Sequence, residues 1–171
     1  MKPTTGVNAL DLLRSQHTEV EDLIAAIEAS DSDGASHKPE LFMKLADKLA
    51  AHATIEETIF YPAVMTRDTR EQLIEATEEH LAVKRLLADM MALDCDDEHF
   101  DAKLTVLKEN IRHHAHDEEE DQLFPEIERM MDEDELAALG NEMLALFESL
   151  IVRAPRNNVP GETKRAAQLH A

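Results

Sequence analysis

Several polar side chains in this 171-residue chain occupy positions where an amphipathic helix would bury an apolar one. His17 falls within the stripe Leu10, Leu13, His17, Val20, Ile24, Ile27, and His80 within Leu73, Ala76, His80, Val83, Leu87, Met90. His52 and Glu56 both fall within Phe42, Leu45, Leu49, His52, Glu56, Ile59, while Leu104, Leu107 and Ile111 lead to His114 and then to Glu118 or Glu119. Steps of three and four residues place each set on one helix face. A glutamate four residues beyond a histidine lies one turn away on that face, so His52 with Glu56, and His114 with Glu118, each offer a nitrogen and an oxygen to one point. A lone buried histidine is ordinarily a hydrogen-bonded core residue. Four stripes that each carry one, two of them with a glutamate, are a different matter, because buried unpaired charges cost several kcal/mol each. Metal ions would satisfy such a set. Mixed nitrogen and oxygen ligation from helices, with two carboxylates able to bridge, suits two iron ions better than thiolate-seeking zinc, with manganese and zinc as the alternatives.

The elements that must position these residues are helices, since Gly is scarce at 4, aromatics make up 4%, and Ala, Leu, Glu, Met and Lys dominate. Four are expected over about 8–29, from Pro39 until Pro62 interrupts, over about 68–93, and over about 97–129. Asp68 with Glu71 reads as a capping box, as does Asp132 with Glu135 ahead of a fifth stripe, Leu136, Leu139, Met143, Leu146, Leu150. The connections at 30–38, after Pro62 and at 94–97 are short, so the economical fold is an all-α antiparallel up-down-up-down four-helix bundle, with the fifth helix packed across it. His17 lies 13 residues before Ser30 and His52 lies 13 after Pro39, each about 20 Å of helical rise from the same end. His80 lies 13 before Leu93 and His114 lies 17 after Asp97, a mismatch of about one turn that fraying or a bulge absorbs. All four imidazoles then meet in one layer. One domain is expected over 1–152, with the bundle at about 8–131 and the extra helix at about 133–152. The remainder, 153–171, has no apolar stripe and reads as a flexible tail without chemistry.

Composition narrows the partners. A net charge of −20 repels phosphate backbones and anionic lipid, so neither nucleic acid nor membrane is expected. No apolar run reaches the roughly 18 residues that span a bilayer, and the start lacks a signal-peptide hydrophobic region. A cytoplasmic location is the expectation, and the single cysteine, Cys95, fits it as a free thiol. His37 in a loop, His99 in a first turn and His170 near the end read as plain surface residues.

The segments LLRSQHTEVEDL, HATIEETIFYP, EEHLAVKRLL and LKENIRHHAHDEEEDQLFPEI, spread over about residues 8–131, resemble the hemerythrin-like HHE cation-binding family. The resemblance implies a carboxylate-bridged, oxo- or hydroxo-bridged non-haem di-iron site. Its ligands would fall on His17, His52, Glu56, His80, His114 and one of Glu118 and Glu119. Two departures matter. Oxygen-carrying members have a further histidine one turn after the first on the third helix, where this chain has Lys84. Pro125 lies 11 residues after His114, whereas Pro62 lies 10 after His52, so one extra residue sits in the fourth helix. A π-bulge that absorbs it ahead of the carboxylate would bring Glu119 to the place a regular helix gives Glu118. Regular geometry favours Glu118.

Glu57, Glu79, Glu119 and Asp117 can orient imidazoles through their outer nitrogen, although a run such as DEEED is commonly a solvated face. His113 and His116 stay unassigned, and Tyr61, the only tyrosine, reads as ordinary packing. The preferred function is a redox-active di-iron protein whose partner is a small oxidant, namely dioxygen, peroxide or nitric oxide, in peroxide breakdown or in sensing under oxidative stress. The alternatives are an iron-storage or iron-sensing module, a reversible oxygen binder, and a metal-free helical protein that binds a basic partner.

Overall fold

The computed structural model describes residues 6–30 and 37–169, and among them every regular element is helical. The connection at 31–36 and His170 lie outside the described residues. Helix α1 (Ala9–Ala29) begins where the Asn8 side chain accepts from the N–H groups of Leu10 and Asp11. The second rod is continuous: α2 (Lys38–Ile55) widens into a π-helical stretch, Glu56–Phe60, and resumes as α3 (Tyr61–Val64). Pro62 therefore does not end the rod, as expected from its sequence. It falls in the first turn of α3, where its missing N–H leaves no bond unmade.

Helix α4 (Arg70–Met91) forms the third rod. The expected cap at Asp68 is absent, and the capping position is Thr69. Two hydroxyls organise this turn instead. Thr69 Oγ1 accepts from the N–H of Thr66 at 2.8 Å and donates to the carbonyl of Val64 at 2.9 Å, while Thr66 Oγ1 accepts from the N–H of Asp68. Thr69 is buried and Asp68 exposed, so the residue that reaches the chain ends is the threonine. The fourth rod repeats the pattern of the second. Helix α5 (Glu98–Arg112), capped by Asp97, passes into a longer π-helical stretch, His113–Leu123, and then α6 (Phe124–Met130). Helix α7 (Glu133–Ile151) opens on the expected reciprocal Asp132 and Glu135 capping box.

The four rods close a ring of contacts, α1 on α2, α2 on α4, α4 on α5 and α5 on α1, which is the ring an up-down-up-down order requires. Inside it the apolar stripes split into two clusters. Leu10, Leu13, Ile55, Phe60, Leu73, Leu123 and Phe124 belong to one, with α7 contributing Leu136, Met143 and Phe147. Val20, Ile24, Leu45, Leu49, Leu87, Leu104 and Ile111 belong to the other. On every rod the histidine lies between the residues of one cluster and those of the other. The bundle is thus two dry plugs with a polar layer between them.

The tail expectation fails in part. After Ala154, held at a left-handed φ of 50°, Pro155–Asn158 forms a 3₁₀ turn and α8 (Val159–Glu162) packs on α4. Val159 is fully buried in the second plug, and Arg156 pairs with Asp47 of α2. Two buried residues, Pro155 and Val159, are enough to dock the segment and too few to form a stripe.

Helix α7 packs across α1 and the second rod, and Gly140 is where the chain entering α1 crosses it. A Cβ at Gly140 would lie 1.8 Å from the Val7 carbonyl oxygen and 2.7 Å from the Ala9 nitrogen. Alanine for glycine inside a helix normally adds up to about 1 kcal/mol of stability. Against backbone, overpacking costs about 1–3 kcal/mol and wins. Gly140→Ala is expected to lower the melting temperature, by roughly 2–4 °C for each net kcal/mol. Thermal denaturation followed by circular dichroism checks this, and a raised melting temperature would contradict the close crossing.

Candidate metal centre

Both π-helical stretches sit at the polar layer, and each sets one carboxylate. The N–H of Tyr61 bonds the carbonyl of Glu56, and the N–H of Phe124 bonds the carbonyl of Glu119, in each case five residues back. A five-residue turn advances a side chain about one position around the helix relative to a regular turn. On the second rod the widening begins at Glu56, so His52 and Glu56 keep their four-residue spacing. On the fourth rod it begins at His113, ahead of both residues, so the carboxylate that shares a face with His114 is five residues on, at Glu119. Glu119 is buried, while Glu118 turns half-buried toward Glu79 and His113. The preference for Glu118 from regular geometry is corrected: the bulge precedes the carboxylate.

His17, His52, Glu56 and Glu119 bring ligating atoms within 4.8 Å of one another, and so do Glu56, His80 and His114. The two groups share Glu56, which divides its oxygens: Oε1 is 3.1 Å from His52 Nε2, and Oε2 is 3.0 Å from His80 Nε2. Glu119 divides likewise, with Oε2 at 3.2 Å from His17 Nε2 and Oε1 at 3.6 Å from His114 Nε2. Two pairs of imidazoles therefore face two carboxylates that each span both pairs. All four histidines present Nε2 inward, and His80 and His114 bring theirs within 3.1 Å.

The outer nitrogens are all occupied. His17 Nδ1 meets Glu120 at 2.7 Å, His52 Nδ1 meets the Gln16 side-chain oxygen at 2.7 Å, His80 Nδ1 meets Glu57 at 2.9 Å, and His114 Nδ1 meets Glu79 at 2.6 Å. Each acceptor fixes the tautomer that leaves an Nε2 lone pair for the interior. Glu57 and Glu79 were legible as orienting groups, whereas Gln16 and Glu120 were missed. Asp117 touches only His113, and His116 joins through Glu120 and Glu21. Tyr61 was read as packing and is more than that. Buried, it donates from Oη to Glu119 Oε1 at 2.8 Å and lies 3.2 Å from Glu56 Oε2 and 3.3 Å from His80 Nε2. Lys84 points away from the layer, with Nζ at 3.1 Å from both Glu57 oxygens.

Electrostatics shows what this layer lacks. Burial opposes charging of His17 and His80, but Glu119 beside the first and Glu56 and Glu57 beside the second outweigh it, raising them to about 9 and about 10. Burial likewise opposes the charge on Glu56, yet His52 and His80 hold its carboxyl well below the usual range. Burial and the flanking carboxylates push the Tyr61 hydroxyl well above its ordinary value, so it stays a donor. Even with protons shared in this way, His17 Nε2, Glu56 Oε1 and Glu119 Oε2 are buried without a hydrogen-bond partner. Inward nitrogens, divided carboxylates and orphaned atoms facing one space fit a pair of cations.

The helical arrangement has a solved counterpart. A hemerythrin HHE cation binding domain-containing protein from Mycobacterium kansasii superposes with a TM-score of 0.73 at 24% identity, over 92% of this chain and 94% of that one, which establishes the shared fold. No curated protein matches the chain significantly. The family model for the hemerythrin HHE cation binding domain matches residues 8–127. That span takes in the four rods through α6 and all of the layer histidines, and this chain belongs to the hemerythrin HHE cation-binding domain family.

Proposed function

We propose that the layer holds two non-haem iron ions, ligated by His17, His52, His80 and His114 and bridged by Glu56 and Glu119, and that the pair reacts with a small oxidant: dioxygen, peroxide or nitric oxide. The observation that carries this reading is the division of both carboxylates between two histidine pairs. Nitrogen and oxygen donors without a thiolate favour iron over zinc. Bound there, the iron pair would supply the electrons that a small oxidant accepts or donates.

The chain's own groups shape what can react. A cavity of about 40 Å³ adjoins the four imidazoles, walled by Val20, Leu49, Val83, Leu87 and Ile111. That is room for a molecule of a few atoms, and apolar walls exclude bulk water. Tyr61 holds a proton 2.8 Å from Glu119, available to an oxygen atom that gains charge in this layer. Lys84 stands where oxygen carriers of the family have a further histidine, and it braces Glu57, which orients His80. With no ligand from that position, one side of the layer is left accessible to a reactant. This favours turnover over reversible carriage.

Three outcomes are expected. In iron-supplemented protein, metal analysis should find about two ions per chain in the wild type and in Glu118→Ala, and about one or fewer in Glu119→Ala, because only Glu119 reaches both histidine pairs. The reverse order would place the bulge after the carboxylate.

Loading should also depend on pH. His17 and His80, raised to about 9 and about 10, carry protons at neutral pH and must lose them to bind metal. Metal uptake near pH 7 is therefore expected to release about two protons, and apparent affinity to rise with pH up to the 9–10 range. The same two groups stabilise the metal-free fold fully below 6.5 and lose that contribution as pH rises through about 9 and 10. Calorimetric titration in buffers of different ionisation enthalpy counts the protons; affinity that is flat or falls over this range would contradict the assignment.

The iron-loaded protein mixed with peroxide is expected to consume it, and Tyr61→Phe to slow consumption by roughly tenfold or more while keeping its iron, since a positioned proton donor is worth about 10²–10⁴ in rate. A spectrum that bleaches and returns on cycling dioxygen, with no peroxide consumed, would make the protein a carrier instead.

A further inference from the structure

Outside the central layer, Glu79 of α4 and His113 and Glu118 of the fourth rod bring three ligating atoms within 4.8 Å of one another. His113 Nε2 is 3.2 Å from Glu118 Oε1 and 3.9 Å from Glu79 Oε1. The group is built like the central one. His113 gives its outer nitrogen, Nδ1, to Asp117 at 3.2 Å and presents Nε2 to the carboxylates. Glu79 divides its oxygens, Oε2 accepting from His114 Nδ1 at 2.6 Å while Oε1 faces His113. Whatever binds Glu79 Oε1 is one carboxylate away from a central histidine.

A second observation lies beneath this group. A cavity of about 40 Å³ separates Glu118 from Glu119, with Gln72, Glu75 and Gln122 on its sides. Glu119 is almost fully buried, and both Glu119 Oε2 and Gln72 Oε1 lack a hydrogen-bond partner. Oxygen atoms able to accept a cation thus continue from the half-exposed Glu118 to the central carboxylate. Elsewhere the layer is sealed by the two apolar plugs. A hydrated divalent ion cannot cross those plugs, because each water it sheds must be replaced by another donor.

We propose that Glu79, His113 and Glu118 form a transit site for a divalent transition-metal ion, which is captured there and passed along the Glu118–Glu119 cavity to the central layer. The proposal rests on the two-ion reading of that layer. The net charge of −20 concentrates all cations near the surface, and the imidazole of His113 gives this group its preference for transition metals over magnesium and calcium. Its half-exposed position and three donors make it a weaker site than the centre, as a site that must release its ion should be.

The test uses the full-length metal-free protein and Co²⁺ under anaerobic conditions. Titration followed by visible absorption should show about two tight equivalents and one weaker one, the weaker equivalent shifting the His113 ring protons in the nuclear magnetic resonance spectrum. His113→Ala and Glu118→Gln should lose the weak equivalent and keep the tight ones, and at substoichiometric metal both should fill the centre at least about tenfold more slowly in stopped flow. Glu79 is left intact because it also holds His114. Asp94→Asn with Asp96→Asn, charge changes in the distant acidic turn, controls for diffuse attraction and should leave the rate as in the wild type. Unchanged filling rates in both variants, or a slowing matched by the acidic-turn control, would overturn the transit site while leaving the central pair standing. Absence of the tight equivalents from the wild type would instead overturn the central reading, and this proposal with it.

Discussion

The fold turns on the cost of carrying four imidazoles and two carboxylates through the middle of a dry core. His17, His52, His80, His114, Glu56 and Glu119 are all buried, and apolar clusters close the layer above and below. Buried polar groups are tolerated when each is paired, and a half-paired network is worse than an apolar one. Here the outer half is paired: every Nδ1 has an acceptor. The inner half crowds its nitrogens and oxygens together and orphans three of them. An assembly finished on its outer side and open on its inner side is what cation binding requires, since ligands must be rigidly oriented and yet not satisfied by one another.

The two widened turns show how local strain serves this layer. A helix places residues on fixed faces, and two carboxylates must reach across to pairs of histidines on neighbouring rods. Widening at Glu56–Phe60 and at His113–Leu123 supplies the extra reach, and Pro62 and Pro125 then restart regular helix without leaving an N–H unpaired. Tyr61 benefits from the first widening, which carries its ring inward until the hydroxyl reaches both carboxylates. The onset of the second widening decides which of two adjacent glutamates enters the core and which one faces Glu79 at the surface.

The rods and the histidines were legible in the chain because burial imposes a period, and an imidazole within that period stands out against leucine and isoleucine. The choice between Glu118 and Glu119 was not, because an inserted residue announces a bulge without saying where it starts, and the answer reverses with the start. Tyr61 was underread for the same reason, since its inward turn depends on the widening before it. Gln16 could have been noticed as a polar neighbour of His17 on a buried face, but an amide that serves a histidine on another rod has no local signature. The docking of Pro155 and Val159 was hidden by their number: two anchors make no pattern. At the Thr66–Asp68–Thr69 turn, the acidic residue looked like the cap, and the hydroxyl that could be buried took the role.

The layer links family membership to chemistry through one claim, that Glu56 and Glu119 bridge two ions and do not serve two separate sites. Mössbauer spectroscopy of the protein loaded with iron-57 and oxidised, recorded in a strong applied field, addresses that claim directly. Bridged ferric ions exchange-couple to a diamagnetic ground state, so the account predicts a quadrupole doublet without internal magnetic splitting that accounts for essentially all of the bound iron, at about two ions per chain. Magnetically split spectra of isolated high-spin ferric ions, or a single ion per chain, would contradict it.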